Sequence, residues 1–349
     1  MSDKPPFTIT LKAADYLTKI VEAVTRLEFA TGFKRDIKLH RKNRVRSIYS
    51  SLAIEGNSLT LGEVTAIIEG RLIAGQQAEV KEVKNAFEAY DKIMTFDPYS
   101  VKDFLKAHKL MTDELVKESG KFRNGDVGVF DGDVVIHMGA RPEFVPQFIR
   151  DLFAWAKETE LHPVLKSAII HCEIETIHPF ADGNGRMGRL WQTLLLANWK
   201  EVFAWIPMES VVFEKRPEYY DALQAAQSTN DSGTFIEFTL AALLDTIEQE
   251  EKRQADFESS SADHERSFER RLKGVLKEAE LKKVTPILDF IEAHGEISPQ
   301  EARGATGKSE ATVWRYLKML CERGVLESTG NTSAAKYYFK KEPENDDGK

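Results

Sequence analysis

The feature that most constrains the fold is a glycine-rich break between two strongly apolar segments. Residues 163–177 and 186–199 both carry apolar side chains at helical spacing. Between them, the run Asp182-Gly183-Asn184-Gly185 cannot continue a helix, because two glycines and an asparagine favour turns and positive φ angles. The sequence therefore predicts two consecutive helices, the first ending near His178, joined by a turn whose backbone N–H groups lie at the start of the second.

The same turn carries the parts of an anion site. Backbone N–H groups at a helix N-terminus attract a negative charge. Arg186 and Arg189, three residues apart, share a face of the first helical turn, where two cations oppose the helix dipole unless a polyanion binds them. Asp182 suits Mg²⁺ beside phosphate oxygens, and His178 suits proton transfer near neutral pH. The combination indicates phosphate-ester chemistry; the alternative is a surface turn with two solvated arginines.

The stretch from His178 to Arg189, HPFADGNGRMGR, resembles the signature of the Fic (Fic/Doc) family, H-x-F-x-D/E-G-N-G-R-x-x-R, at every fixed position. Members of that family mostly transfer AMP from ATP to a protein hydroxyl. The resemblance implies ATP and Mg²⁺ as cofactors, His178 as general base, Phe180 as the buried anchor of the loop and Asp182 as the metal ligand. It implies that the nucleotide phosphates are bound by Gly183, Asn184, Gly185, Arg186 and Arg189.

A second motif lies near residue 55. The run Ser51-Leu-Ala-Ile-Glu55-Gly56 resembles the family's inhibitory pattern, S/T-x-x-x-E-G/N, in a predicted helix that ends at glycine. The resemblance implies that Glu55 pairs with Arg189, supplies the missing anion when ATP is absent, and makes ATP bind in an unproductive pose. The alternative is a solvated glutamate at a helix end.

Residues 120–138 differ from the helical segments around them. They alternate glycine, aspartate and β-branched residues, and two short strands around Asp131-Gly132 fit a β-hairpin. The hairpin falls where Fic proteins keep a flap that binds the target backbone by strand addition. The resemblance implies that Val129 and Phe130 lie near the nucleotide.

A tyrosine pair after the signature completes the resemblance. Tyr219 and Tyr220 resemble a family stretch whose tyrosines flank the nucleotide base, and helix packing is the alternative. Gln227 stands seven residues after Tyr220, where the family commonly has asparagine. The contacts with adenine are therefore less well specified than those with the phosphates.

The fold class is predicted as mainly α: a helical Fic core with a β-hairpin flap, followed by a winged helix-turn-helix domain. Four regions are expected: an N-terminal helical region with the inhibitory helix (1–110), the Fic catalytic core (111–247), a charged linker or helix (248–283) and the winged helix-turn-helix domain (284–341). The third region has 19 charged side chains among 36 residues, which is typical of an exposed element.

The C-terminal domain is weighed between DNA binding and protein contact. Residues 281–341 carry ten basic and seven acidic side chains, a modest excess for a DNA-binding domain. Arg315, Lys318 and Arg323 could face phosphates, whereas Glu310 and Glu322 interrupt the expected recognition helix. Dimerisation through this domain remains an alternative.

The environment follows from what the sequence lacks. No apolar run of about 18 residues is present, so no membrane span is expected, and the N-terminus does not resemble a secretory signal. The two cysteines, Cys172 and Cys321, lie in apolar-periodic segments typical of free thiols in a reducing cytosol. A cytoplasmic protein is therefore expected.

The leading hypothesis for function is a protein adenylyltransferase that modifies a Ser, Thr or Tyr hydroxyl of a target protein or of itself, autoinhibited by Glu55. Two alternatives use the same site: a hydrolase in which Glu55 orients a water that removes AMP, and transfer of another phosphate-containing group. A DNA-binding regulator that senses nucleotide is the alternative from another class.

Overall fold

The computed structural model describes residues 4–29, 37–73, 75–131, 134–329 and 335–340. Within these ranges it does not describe the side chains of residues 37–38, 129–131, 134–137, 256–274, 278 and 292–294. The chain divides into two compact units, Met1–Ala255 and Asp256–Lys349.

The first unit is helical apart from one hairpin. In chain order its elements are α1 (Leu11–Phe29), α2 (Ile37–Ile54), α3 (Leu61–Ile68), α4 (Gln77–Asp91), α5 (Val101–Thr112), β1 (Gly128–Asp131), β2 (Val134–Met138), α6 (Val145–Glu158), α7 (Pro163–Ile177), α8 (Asn184–Trp199), α9 (Met208–Glu214), α10 (Arg216–Thr229) and α11 (Gly233–Val275). Two short 3₁₀ turns, Ile93–Thr95 and Glu201–Ala204, lie between them. Helix α11 begins in the first unit and continues beyond residue 255, without a break at residue 248.

The pair α7 and α8 forms the centre of this unit. Twelve of the 15 residues of α7 and 13 of the 16 residues of α8 are buried, and the buried residues include polar side chains such as His171, Arg186 and Arg189. Trp191 is fully buried on α8, packs in parallel with Phe153 at 5.9 Å, and donates its indole N–H to the Pro98 carbonyl at 2.9 Å. The turn between α7 and α8 therefore joins two helices that lie in the buried core.

Helix α2 carries the second sequence motif and ends beside this pair. It packs against α3, α4, α8 and α9. The next helix, α3, begins at a capping box: the hydroxyl of Thr60 accepts from the Glu63 N–H, and the Glu63 carboxylate accepts from the Thr60 N–H. Helix α2 is thus fixed by packing along its length and by a capped helix after it.

The hairpin predicted near residue 131 is present. Strands β1 and β2 are antiparallel, pairing Gly128 with Met138 and Val129 with His137, and the register shifts between Val129 and Phe130. Such a bulge bends the strand and increases its twist locally. The expected turn residue Gly132 lies outside the described residues.

The second unit has the winged helix-turn-helix order. Its further elements are α12 (Glu278–His294), α13 (Pro299–Thr306), α14 (Glu310–Glu322), β3 (Leu326–Thr329) and β4 (Lys336–Phe339). The strands pair antiparallel, and a bridge between Ile297 and Tyr337 joins the sheet to the connection before α13. Val313, Leu317 and Leu320 on α14 are fully buried in its own apolar core. The predicted fold class, mainly helical with a hairpin and a C-terminal winged helix, is confirmed.

Candidate active site

His178 ends α7 in an unusual backbone conformation. It has φ 53° and ψ 62°, the left-handed region, and its N–H donates to the Ile174 carbonyl at 2.9 Å. A non-glycine residue held there costs about 1–3 kcal/mol, so the surroundings must fix it. The imidazole Nδ1 lies 3.3 Å from the Glu175 carbonyl oxygen. Because a carbonyl only accepts, this contact assigns the hydrogen of a neutral ring to Nδ1, and Nε2 is then the nitrogen that can accept a proton.

Arg123 holds this conformation, and the sequence reasoning missed it. Its guanidinium is almost fully buried and donates to the carbonyls of His178 at 2.7 Å, Gly125 at 2.8 Å, and Ala140. Its backbone N–H donates to the Pro179 carbonyl at 3.1 Å. A cation at the C-terminus of a helix also complements the helix dipole. Arg123 thus joins the base of the hairpin to the residue that carries the imidazole.

The loop after His178 is clamped by a pair of reciprocal hydrogen bonds. The Asn184 side chain accepts from the Phe180 N–H and donates to the Phe180 carbonyl, both at 2.9 Å. The Phe180 ring is fully buried and stacks on His108 with centroids 3.6 Å apart. The Asn184 amide therefore shapes the loop, which leaves its backbone N–H as the group that can face an anion.

His108, another residue that the motif does not contain, supports the loop from α5. Its Nδ1 accepts from the Gly120 N–H at 3.0 Å, so its Nε2 carries the hydrogen and donates to the Asp182 carbonyl at 3.0 Å. Burial lowers the pKa of His108 to about 4. The ring is consequently neutral at physiological pH and serves as a fixed bridge.

Gly183 caps the N-terminus of α8, and its φ of 85° is available to glycine without strain. The first N–H groups of a helix have no partner within it, so they converge on the space above this turn. The Gly183 N–H donates to the Asp182 carboxylate at 2.6 Å, and the side chain of Asp182 remains 61% exposed. Asp182 therefore combines a fixed position with an accessible carboxylate.

Arg186 is buried between two carboxylates. Its Nη2 contacts Asp182 at 3.1 Å and its Nη1 contacts Glu82 on α4 at 3.3 Å. The buried Nε of Arg186 has no hydrogen-bond partner among the described residues. An unsatisfied charged donor is costly, which favours an additional acceptor at this point.

Arg189 is fully buried and contacts Ser51 and Glu55, the first residue and the glutamate of the second motif. Its Nη2 contacts Glu55 Oε1 at 2.6 Å and donates to the Ser51 carbonyl at 3.0 Å, and its Nε donates to the Ser51 hydroxyl at 3.1 Å. Burial alone would lower the pKa of Arg189, but the Glu55 carboxylate holds it above the usual value. The buried Nη1 has no partner among the described residues.

Glu55 also lies against the first turn of α8. A Cβ added to Gly185 would lie 2.4 Å from Glu55 Oε1 and 3.0 Å from Arg189 Nη1. Glycine at this position thus allows a carboxylate to approach the helix N-terminus closely. The structure brings together Glu55, Arg189 and Gly185 at one point, with Asp182 and Arg186 in the same turn.

The comparison with known proteins agrees with this arrangement. Residues 98–196 match the sequence model of the Fic/DOC family, and residues 287–327 match that of a family described as winged helix-turn-helix DNA-binding. A crystal structure of a Fic family protein from Desulfovibrio desulfuricans G20 is 35% identical with a TM-score of 0.72, covering 98% of this chain and 100% of that chain. The chain belongs to the Fic/DOC family.

The curated Fic-family relatives are longer than this chain. Protein adenylyltransferase fic-1 of Caenorhabditis elegans is 28% identical over 61% of this chain and 41% of its own length. Protein adenylyltransferase Fic of Nematostella vectensis is 31% identical over 58% of this chain and 47% of its own length. The match therefore spans less than half the length of these relatives. A structure of C. elegans Fic-1, 23% identical with a TM-score of 0.56, shares the fold.

The two tyrosines of this Fic protein differ in environment. Tyr219 is buried, and its hydroxyl lies 3.1 Å from His171 Nε2, so it belongs to the packing between α7 and α10. Tyr220 is 42% exposed, and its hydroxyl donates to the Ile54 carbonyl at 3.4 Å, beside Glu55. Gln227 lies half-buried two turns further along α10, and no described contact connects it with the signature turn.

The flap residues are located by their backbone alone. Val129 and Phe130 lie in β1 at the bulge, and their side chains are outside the described part of the chain. No helix in the described ranges is long and apolar enough to cross a membrane.

Proposed function

We propose that this Fic protein transfers AMP from ATP to a Ser, Thr or Tyr hydroxyl of a protein, and that Glu55 restrains the transfer. The observation that carries the proposal is the ion pair of Glu55 with the buried Arg189, made at the N-terminus of α8. A carboxylate at this helix N-terminus occupies a position where the helix dipole and the backbone N–H groups favour an anion. The names of the curated relatives, protein adenylyltransferases, support the same activity.

The unsatisfied donors support a polyphosphate as the natural occupant. Arg186 Nε and Arg189 Nη1 are buried cationic N–H groups without partners in the described structure. Phosphate oxygens would satisfy both, because guanidinium groups bind phosphate with charge-assisted hydrogen bonds. The backbone N–H groups of Asn184 and Gly185 would add neutral donors in the same concavity.

Asp182 is the residue that would hold Mg²⁺. Its carboxylate is fixed by Gly183 and Arg186 yet mostly exposed. In the described ranges no three His, Cys, Asp or Glu side chains are grouped to hold a metal ion. The single accessible carboxylate of Asp182 fits Mg²⁺, which usually takes one or two carboxylates together with substrate phosphate oxygens. When bound, the ion would neutralise phosphate charge.

The base of the reaction would be His178. Its Nε2 would accept the proton of the target hydroxyl while the hydroxyl oxygen attacks the α-phosphorus. The bond to the bridging oxygen breaks, pyrophosphate leaves, and AMP stays on the target oxygen. The chain contributes positioning and preorganised charge, which are the main sources of catalysis in phosphoryl chemistry. While Glu55 pairs with Arg189 Nη2, the phosphate oxygens of ATP cannot pair with that nitrogen.

The test is AMP transfer from ATP labelled at the α-phosphate, with Mg²⁺, followed by intact mass. Wild type, Glu55→Gly and Glu55→Gly/His178→Ala are compared, on the chain itself and on a cell lysate as acceptor. We expect faster labelling by Glu55→Gly, with the mass of AMP, and loss of about 10²–10⁴-fold without His178. If Glu55→Gly binds ATP but labels nothing in either setting, or if labelling survives without His178, the proposal is wrong.

Removal of AMP is the second activity to test, because the Glu55 side chain is 33% exposed and could orient a water. Chain labelled by the Glu55→Gly variant is mixed with unlabelled wild type. Release of AMP by wild type and not by Glu55→Gly would assign hydrolysis to Glu55.

DNA binding by the C-terminal unit is favoured by its family match and opposed by its charges. Two of the three basic residues expected to face phosphate are engaged: Lys318 lies 3.7 Å from Glu322, and Arg323 pairs with Glu280 at 3.0 Å. Arg315 remains exposed. Duplex DNA binding that weakens steeply with salt and requires Arg315 would support the alternative of a DNA-binding regulator.

A further inference from the structure

A groove in the first unit lies next to the proposed base but outside the nucleotide site. It encloses about 370 Å³ between the end of β2, α6, α7 and the residues before α1. Its walls include Met138, Leu152 and Ile177. Ile177 directly precedes His178, and its carbonyl accepts from the Ala140 N–H at 3.2 Å. The groove therefore lies beside the residue that carries the proposed base.

The rim of the groove exposes large apolar side chains. Met138 is 52% exposed and Phe148 is 42% exposed. Phe144, 48% exposed, packs on Phe148 with ring centroids 6.0 Å apart. Clustered exposed apolar side chains are typical of surfaces that bind another protein.

One carboxylate in the groove has no counter-charge. Glu173 on α7 lines it, and no hydrogen bond or ion pair to its side chain is present among the described residues. Burial raises its pKa to about 7. The other charged residues of the lining are engaged elsewhere or add negative charge: Lys4 lies over the Phe7 ring, and Asp151 accepts from Gln147.

We propose that this groove receives a lysine or arginine side chain of the protein that accepts AMP, close in sequence to the modified hydroxyl. The aliphatic stem would lie against Met138, Leu152 and Ile177, and the cationic head would meet Glu173. Long basic side chains bury their stems on apolar surface while the charge is paired. An apolar occupant would leave Glu173 buried without a partner, and an acidic one would be repelled.

The inference rests on the proposed AMP transfer for the identity of the partner, but its test needs no transfer. The probes are N-acetyl-arginine N-methylamide and its neutral analogue N-acetyl-citrulline N-methylamide. Each is titrated without nucleotide into full-length protein labelled at Ile and Met methyl groups. We expect saturable shifts of the Ile177 and Met138 signals with the arginine probe, and roughly fivefold weaker binding of the citrulline probe.

Two variants decide the role of the carboxylate. Glu173→Gln keeps the shape of the side chain and should remove the preference for arginine, whereas the exposed Glu160→Gln should keep it. Equal affinity of the two probes for wild type, or a preference that survives Glu173→Gln, would overturn the proposal. So would shifts at other methyl groups that leave Ile177 and Met138 unmoved. Failure of AMP transfer would leave this titration intact, so the two proposals fail separately.

Discussion

Replacing Glu55 by alanine should destabilise the empty protein and strengthen nucleotide binding by related amounts. Removing one partner of a buried ion pair costs about 3–5 kcal/mol. The Glu55 side chain is one-third exposed, and Arg189 keeps its two contacts with Ser51, so we expect about 1–3 kcal/mol. At about 2–4 °C per kcal/mol for a unit of this size, the unfolding temperature should fall by roughly 2–12 °C.

The free energy of unfolding that Glu55→Ala loses should appear as tighter nucleotide binding, because phosphates then take the place of the carboxylate at Arg189. With Arg189 no longer held, an ATP analogue that cannot donate AMP should bind roughly 5- to 150-fold more tightly to Glu55→Ala than to wild type. Calorimetric unfolding with and without the analogue measures both effects on one sample. The analogue should therefore raise the unfolding temperature of the variant more than that of wild type.

A matched control is Glu88→Ala, which removes a surface pair with Lys92 at 2.6 Å. That pair is half exposed and contributes about 0.5 kcal/mol or less, so neither stability nor affinity should change much. The reasoning fails if Glu55→Ala is as stable as wild type, or if the analogue binds both proteins equally. Either result would mean that the carboxylate neither neutralises Arg189 nor competes with phosphate.

Three further changes test the surroundings of the site. Arg123→Met should lower kcat for AMP transfer at least tenfold while ATP affinity changes little, because the proposed base loses its backbone support; the exposed Arg150→Met should be neutral in the same kinetics. His108 stays neutral when folded, with a pKa of about 4 against about 6.5 unfolded, so acid protonates the unfolded chain first. The free energy of unfolding should thus fall by about 3 kcal/mol between pH 6.5 and 4, and urea unfolding of His108→Gln should lack this component. Gly188→Ala would place a Cβ 2.6 Å from a ring atom on α7 and should cost about 1–3 kcal/mol, whereas Gly304→Ala on α13 meets nothing within 4 Å; equal thermal stability of the two would contradict the close packing of α7 and α8.

Much of the fold followed from local patterns. The glycine-rich break predicted the turn between α7 and α8. The alternation around residue 131 predicted the hairpin, and the winged helix-turn-helix domain expected after residue 284 is present. These features depend on backbone freedom and side chains a few residues apart, which a sequence displays directly.

The supporting residues of the site could not be found in this way. Arg123 lies 55 residues before His178, in a glycine-rich segment where the sequence shows no sign of a contact with that histidine. His108 lies 74 residues before Asp182, and Glu82 lies 104 residues before Arg186. Their polar type was visible, but no spacing rule connects residues on separate helices. Only the packing of α4 on α5 and of α5 on α8 brings Glu82 and His108 to the turn, and Arg123 reaches it from the loop before β1.

The sequence by itself determined which groups the turn carries: a histidine, a carboxylate, two cations and the glycines between them. It also supplied a glutamate 134 residues before Arg189, with a motif that implied their pairing. The tertiary structure decided that Glu55 reaches the fully buried guanidinium, because the end of α2 packs against α8. A local pattern fixes which groups are available, whereas the distance between helices fixes which of them meet.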